Sequence, residues 1–587
     1  MANTKFYTTE RNAQIVISLL KSKGIKRVIA SPGTTNISVV GSMMNDSHFI
    51  MYSAPDERSA AYMACGMAAD LGEPVVVTCT GATASRNYLP GLTEAYYRKL
   101  PVIALTSSLH VGRSGHLYPQ FIDRTQQPVD SFKYSTQIYP IHSMEDEWQC
   151  VVKVNEALLE LSRNGGGPVH INLMTVGEFA DFSVKVLPAV CNIQRYCIDD
   201  GLPIIDVQNV GIFIGSHTQF TQELQELIDT FCSKYNAVVF CDHTSGYKGQ
   251  YRVLYAIAAF QSKPDKNIDN LDLLIHIGEV SGDYYTQNRL RSAKSVWRVN
   301  EDGQIRDYFR HVTKVFQMSE MQFFSYYASG SSLCKNQRFL SCQKSLEEIS
   351  QKMPQLPFSN IWIASVSHSL LPEKSKIHFG ILNSLRSWNF FEIPNSVQSY
   401  CNVGGFGIDG ILSTVLGASL ASPQTLFFAV LGDLAFFYDM NSLANRHRGN
   451  NLRIMLINNG KGTEFRNYSH PGSKFEDRAD DFIAAGGHYG NKSRNLVKHY
   501  AEDLGFKYLC AKDKEEYLEV IDTFFANDSS SSIILEIFTN NEDESNALLA
   551  IHNILTTNGD QMKNAIKSTA TKLLGEQTIK SIRRRLS

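Results

Sequence analysis

The chain has almost no net charge and no long apolar run. Lysine and arginine number 56 and aspartate and glutamate 58 in 587 residues, a formal charge of −2. Nucleic-acid binding leans on a strongly basic surface, so no nucleic-acid partner is expected. The longest apolar runs, 426–431 and 454–457, fall far short of the ~20 residues of a membrane helix. No apolar leader segment follows Met1, which points to a cytoplasmic protein without a membrane partner. The eleven cysteines include no CxxC pair and read as reduced thiols. Neither His nor Cys has the spacing of a zinc site. No short-period repeat occurs, and no GxGxxG opens a helix in the middle third, so the dinucleotide fingerprint is missing there.

What the chain does have is apolar mass and alternation. Hydrophobic residues make up 43% and charged residues 19%, enough for several cores at this length. Short β-branched runs at Arg27–Ala30, 75–78, 102–106 and 169–173 alternate with helical stretches such as 92–99. The middle repeats this at 211–215, 237–242, 271–278 and 295–300, with a helix predicted over 219–235. Strand patterns return at 376–380, 425–431, 452–457 and 532–538. Apolar strands separated by helices predict buried parallel sheets. The expected fold is α/β, three Rossmann-like doubly wound units over 1–185, 186–345 and 346–587. The polar stretch 329–343 reads as a linker, and the basic end with Lys580, Arg583, Arg584 and Arg585 as a solvated terminal helix.

Three groups of residues could carry chemistry. Gly432-Asp433-Leu434 follows one predicted strand and Asn458-Asn459 ends the next. Ligands of doubly wound sheets bind at the carboxyl ends of strands. A carboxylate and an amide oxygen there suit Mg²⁺, which takes oxygen ligands and shares them with phosphates. The same residues equally suit ordinary strand-end turns. Asp56-Glu57-Arg58 opens a helix of small residues. There Glu57 is either a favourable charge on the helix dipole or a buried proton-transfer group. The glycine turns at Ser31-Pro32-Gly33-Thr34, Thr80-Gly81-Ala82-Thr83 and Gly404-Gly405-Phe406-Gly407 are either anion cradles or plain connections.

In this order, a glutamate in the first unit and Gly-Asp…Asn-Asn in the third, the motifs resemble those of thiamine diphosphate (ThDP) enzymes of the pyruvate decarboxylase and acetolactate synthase type. Within that superfamily the chain is most similar to the 2-succinyl-5-enolpyruvyl-6-hydroxy-3-cyclohexene-1-carboxylate synthases of menaquinone synthesis. Four segments carry this likeness: 56–61 with Gly66, 167–173, Gly407-Ile408-Asp409-Gly410 with Leu412-Ser413-Thr414, and Gly432-Asp433-Leu434 with Asp439-Met440-Asn441. It runs from about Lys26 to Thr539. Leu434 stands where most relatives have a third glycine, as it does in that subfamily.

The resemblance implies ThDP and Mg²⁺ as cofactors. It implies decarboxylation of a 2-oxo acid, with transfer of the enamine to an acceptor. Glu57 matches the glutamate that bonds the aminopyrimidine ring. Asp433, Asn459 and the backbone carbonyl of Lys461 match the metal ligands. Ile408 matches the residue that wedges the cofactor into its bent form. Asn383, Ser384, Gly404 and Gly407 match positions near the diphosphate, and Gly432 and Leu434 belong to the binding motif. Gln120 matches a glutamine near the reacting centre, with Thr34 and Arg289 toward the substrate. A homodimer or homotetramer follows by the same likeness, with a structural middle unit.

The departures bear on the substrate. The family's Ser-Pro-Gly-Ser-Arg turn ends here in Thr34-Thr35, so its arginine is Thr35. Its Asp-Arg-Pro reads Ser108-Leu109-His110, its Asn-Arg-Gly reads Asn402-Val403-Gly404, and a later arginine is Leu420. Arg289 and Arg113 keep cations near the expected places. Each missing arginine would cost on the order of 1–3 kcal/mol for a carboxylate it held. An acceptor other than isochorismate is therefore expected. The alternatives are the menaquinone reaction itself, on 2-oxoglutarate and isochorismate, an acetolactate synthase-like reaction, or simple decarboxylation.

Overall fold

The computed structural model describes residues 6–556, apart from 218–219, 264–265, 331–335, 489–491 and 529. The chain divides into two compact units, Met1–Ile204 with Val296–Ser319, and Ile205–Ser295 with Glu320–Ser587.

The first unit is built on six parallel strands: Arg27–Ala30, Ile50–Ser53, Val75–Cys79, Val102–Ser108, Tyr134–Ile138 and Val169–Met174. In chain order they lie second, first, third, fourth, sixth, fifth across the sheet. Alternation along the strands feeds two cores, as a doubly wound sheet requires. Val28, Val76, Ile103 and Leu105 meet the helices Arg11–Ser22 and Met144–Glu160 on one face. Ile29, Val75, Val77 and Ala104 meet the helices Glu57–Leu71 and Leu89–Tyr97 on the other. The same unit holds the parallel strands Gln194–Cys197, Val312–Gln317 and Val296–Asn300.

The second unit contains six parallel strands of the same order: Lys376–Phe379, Gln398–Cys401, Phe427–Gly432, Leu452–Asn458, Lys507–Ala511 and Ile533–Phe538. Again the alternation splits the core. Phe428, Val430, Met455 and Ile457 pack with Trp388 and Tyr517, whereas Phe427, Ala429, Ile454 and Leu456 pack with Leu412 and Val415. Val210–Ile214 pairs in parallel with Val238–Cys241 and Leu273–Ile277, and Val238–Cys241 with Arg252–Leu254. The expected α/β fold of parallel sheets is thus present.

One expectation is corrected. The polar stretch 329–343 is not linker throughout, because a helix runs from Gln337 to Gln351. Its polarity hides a stripe of Arg338, Cys342 and Ile349, buried at helical spacing. Asn336 caps it, accepting from Phe339 N at 2.9 Å while its Nδ2 donates to Cys232 O and Ala237 O. The expected helix over 219–235 begins at Gln222, capped by Thr221. The basic end of the chain lies outside the described residues. Among the described residues no helix is long and apolar enough to cross a membrane, and all ten described cysteines are free.

Candidate cofactor and substrate sites

In the C-terminal sheet, the first and third strands lie side by side, although the chain passes in opposite directions from them. That is the switch point at which loops diverge and open a crevice. Phe379 pairs with Val430, and Gly432 with Ile457. The residues just beyond these strand ends therefore become neighbours: Asn383 and Ser384, Asp433, and Asn459.

Asp433 begins the helix Asp433–Asp439 and is 4% exposed. Its Oδ1 accepts from Leu434 N at 2.8 Å and its Oδ2 from Gly460 N at 2.7 Å. Among the described residues no cationic side chain pairs with it. Burial pushes its carboxyl up to about 6, and the negative charge of Glu536 acts in the same direction. Asn459 donates from Nδ2 to Thr463 Oγ1 at 3.3 Å, while its buried Oδ1 has no partner. An uncompensated carboxylate and an orphaned amide oxygen are the donor set of a hard cation.

Supporting residues hold this set still. Thr463, 2% exposed, also accepts from Asn383 Nδ2 at 2.9 Å. Arg386 donates to Asn383 Oδ1, forms a 2.8 Å ion pair with Glu464, and reaches Tyr284 Oη at 2.8 Å. Ser384 is buried beside them. No motif marks Thr463. Its role arises because the loop after Asn459 curls back four residues, which spacing alone does not show. Lys461 pairs with Asp480 through its side chain, leaving the carbonyl role to its backbone. A Cβ built on Gly404, Gly405 or Gly432 would meet nothing within 4 Å, so open space faces these turns. In contrast, a Cβ on Gly407 would sit 2.2 Å from Asp409 Oδ1. That glycine is fixed by its own loop, just before the half-buried Ile408. Together these residues fit a metal-bound diphosphate.

In the N-terminal sheet, Glu57 opens the helix Glu57–Leu71, whose cap Asp56 accepts from Ser59 N at 3.1 Å. The helix is drawn close to Leu89–Tyr97 by small residues. A Cβ on Gly91 would lie 2.5 Å from Ala61 Cβ, and Cys65 Sγ lies 3.1 Å from Gly91 O. This packing presents Glu57 half-buried, with Asn87 Nδ2 donating to Oε2 at 3.3 Å.

The turns after the first, third and fourth strands of this sheet meet around a cavity of about 910 Å³. Thr34, Thr35, Thr80, Leu109, His110, Arg113 and Gln120 line it. The structure thus brings together Thr34 and Gln120, which the sequence singled out. Gln120 holds a φ of 58°, an uncommon conformation for a residue with a side chain. A smaller cavity of about 70 Å³ shares Thr35, Thr80, Leu109 and Gln120 and adds Arg124, a buried arginine that belongs to no motif. Arg289 anchors its Nε on Ala259 O at 2.8 Å and its Nη2 on Gln261 O at 2.5 Å.

Residues 11–130 match the N-terminal TPP binding domain of thiamine pyrophosphate enzymes. The chain is also similar to 2-succinyl-5-enolpyruvyl-6-hydroxy-3-cyclohexene-1-carboxylate synthases from several bacteria. That of Bacteroides fragilis is 30% identical over 564 residues, 92% of this chain and 98% of that protein. That of Phocaeicola vulgatus is 30% identical over 559 residues, again 92% and 98%. That of Flavobacterium psychrophilum is 26% identical over 551 residues, 90% and 96%. A likeness of this length spans both the Glu57 helix and the Asp433–Asn459 edge. The chain belongs to the thiamine diphosphate- and divalent metal-dependent enzymes, in the family of these synthases.

Proposed function

We propose that the chain decarboxylates a 2-oxo acid and transfers the remaining fragment to an acceptor, with Mg²⁺ as its metal. The observation that carries this reading is the pairing of buried Asp433, without a cation, with the orphaned Oδ1 of Asn459. These two, with the carbonyl of Lys461, would hold the metal. Asn383, Ser384, Gly404, Gly407, Gly432 and Leu434 would hold the diphosphate, with Ile408 against the ring system. When bound, ThDP supplies the electron sink that makes loss of CO₂ from a 2-oxo acid feasible. Glu57 holds and returns a proton at its carboxylate, and Asn87 fixes that group's direction. Thr34 and Gln120 orient the acid in the 910 Å³ cavity. Arg289, whose Nε and Nη2 are held by backbone carbonyls, is a further candidate for the substrate.

We further propose a cytoplasmic enzyme with domains at 1–185, 186–345 and 346–587, working as a homodimer or homotetramer. Tyr62 and Met63, exposed on the helix that Glu57 opens, support self-association. A second reading, the synthase reaction on 2-oxoglutarate and isochorismate, draws support from the 30% identity to the named synthases.

The test is CO₂ release from pyruvate, 2-oxoglutarate and oxaloacetate with the enzyme, ThDP and Mg²⁺. Release from one of them is expected. No release from any, in a protein that binds ThDP, would overturn the reading. Adding isochorismate and measuring the coupled product decides between the two acceptors.

A further inference from the structure

Arg124 is a buried cation whose side chain donates to backbone carbonyls rather than to a carboxylate. It is 5% exposed, yet among the described residues no carboxylate pairs with it. Its Nη2 donates to Ser107 O at 2.9 Å and its Nη1 reaches Thr80 O at 3.4 Å, a long contact. Its Nε is buried without a partner. A guanidinium carries five N–H donors, so most of its capacity is unspent. Burial lowers its pKa to about 10, with Arg86 acting in the same direction, so it keeps its charge at neutral pH. Burying an unpaired cation is costly unless something anionic compensates it.

The location leaves room for an anion. Arg124 lines the 70 Å³ cavity together with Thr35, Thr80 and Gln120, and those three also border the large cavity. The small space is of the size of a carboxylate group rather than a whole substrate. Thr35 and Arg124 converge on one atom: Thr35 Oγ1 and Arg124 Nη2 both donate to Ser107 O at 2.9 Å. Gly81 makes room here, since its Cβ would lie 3.3 Å from Gln120 O and 3.9 Å from Arg124 Nη2.

We propose that Arg124 binds a carboxylate of the acid substrate. This rests on the reading of the chain as a 2-oxo acid enzyme. It makes the substrate side of the N-terminal cavity acid-selective. Arg124 would be a specificity-determining residue, distinct from the proton-transfer role of Glu57.

The experiment uses the full chain with ThDP and Mg²⁺, and glutarate as a dicarboxylate probe that lacks the reactive oxo group. Calorimetry reads glutarate binding, and CO₂ release reads KM for whichever 2-oxo acid is turned over. Arg124→Met should weaken glutarate and raise KM by about 10- to 100-fold, with ThDP affinity unchanged. Arg124→Lys, which keeps the charge but not the planar fork, should lie between. A folded Arg124→Met variant with wild-type glutarate affinity overturns the proposal, as does a wild-type protein that binds no glutarate. If Arg124→Met does not fold, an Arg124→Lys variant with unchanged glutarate affinity overturns it. A wild type that binds ThDP and glutarate but releases no CO₂ defeats the functional reading instead, and leaves glutarate binding to decide on Arg124.

Discussion

The N-terminal and C-terminal sheets share one strand order and put their chemistry at the same topological place, yet they are furnished in opposite ways. At the C-terminal edge the groups are short and interlocked: buried Asp433 and Thr463 and half-buried Asn383 and Asn459 are tied by backbone N–H groups and by one shared hydroxyl. At the N-terminal edge the strands end on a large cavity, and the glutamate stands half-exposed at the mouth of a helix. The first arrangement suits a ligand that arrives once and stays. The second suits substrates that must enter, react and leave. In the proposed function a single fold separates holding from turnover by what it places beyond the same strands.

This contrast breaks most sharply under two substitutions. Glu57→Gln should reduce turnover by about 10²- to 10⁴-fold while ThDP and Mg²⁺ still bind, since it removes only a proton-transfer group. Near-normal turnover in that variant would sink the assignment. Asp433→Ala should instead weaken Mg-dependent ThDP binding by more than about 100-fold, which calorimetry would detect. The metal-free Asp433→Ala protein should differ little in stability from wild type, because relief of a buried carboxylate offsets the loss of the bonds it accepts from Leu434 N and Gly460 N. If both variants failed in the same step, the division between the two edges would not hold.

A smaller effect probes how Glu57 is placed. Gly91→Ala would force a methyl group to 2.5 Å from Ala61 Cβ and 2.9 Å from the Ala61 carbonyl carbon, atoms close to helix backbone. The two helices must then part, at a cost of about 1–3 kcal/mol. A lowered thermal midpoint with a fall in kcat, and unchanged ThDP affinity, is the expected result. An unchanged midpoint would show that the contact can relax.

The same contrast explains what was legible in the sequence. The inner strands of both sheets are buried on two faces, so they read as apolar runs such as Val75–Cys79 and Phe427–Gly432. The edge strands, Ile50–Ser53, Tyr134–Ile138, Gln398–Cys401 and Lys507–Ala511, all escaped that reading. They are partly exposed and carry residues such as Ser135, Thr136, Gln398 and Lys507, which no apolar run reveals. Glu57, Asp433 and Asn459 stood out because they sit at helix starts and strand ends in short motifs. Thr463 and Arg124 did not, because their partners lie at Asn383, Thr80 and Ser107, brought near only by the fold. Gln120 stood out only by resemblance, and its positive φ is a property of the folded loop.

The most modest effect is in pH, and it separates the two edges without a mutation. The Asp433 carboxyl is raised from 3.8 to about 6, mainly by burial. Between about pH 4 and 6 the metal-free native protein therefore holds a proton that the unfolded chain has lost. The native protein is favoured by this group at low pH, and that advantage disappears as pH rises through about 6. Mg²⁺ needs the same carboxylate deprotonated, so it competes with that proton. Metal affinity should fall up to about tenfold per pH unit below about 6, and level off above it. The stabilisation that Mg²⁺ with ThDP gives should accordingly grow from about pH 5 to 7, read as the shift in thermal midpoint between loaded and metal-free protein. Asp433→Asn should remove this pH dependence along with most of the binding. A stabilisation that is flat across the range in the wild type would mean that another group carries the metal, and would return Asp433 to the rank of a strand-end turn residue.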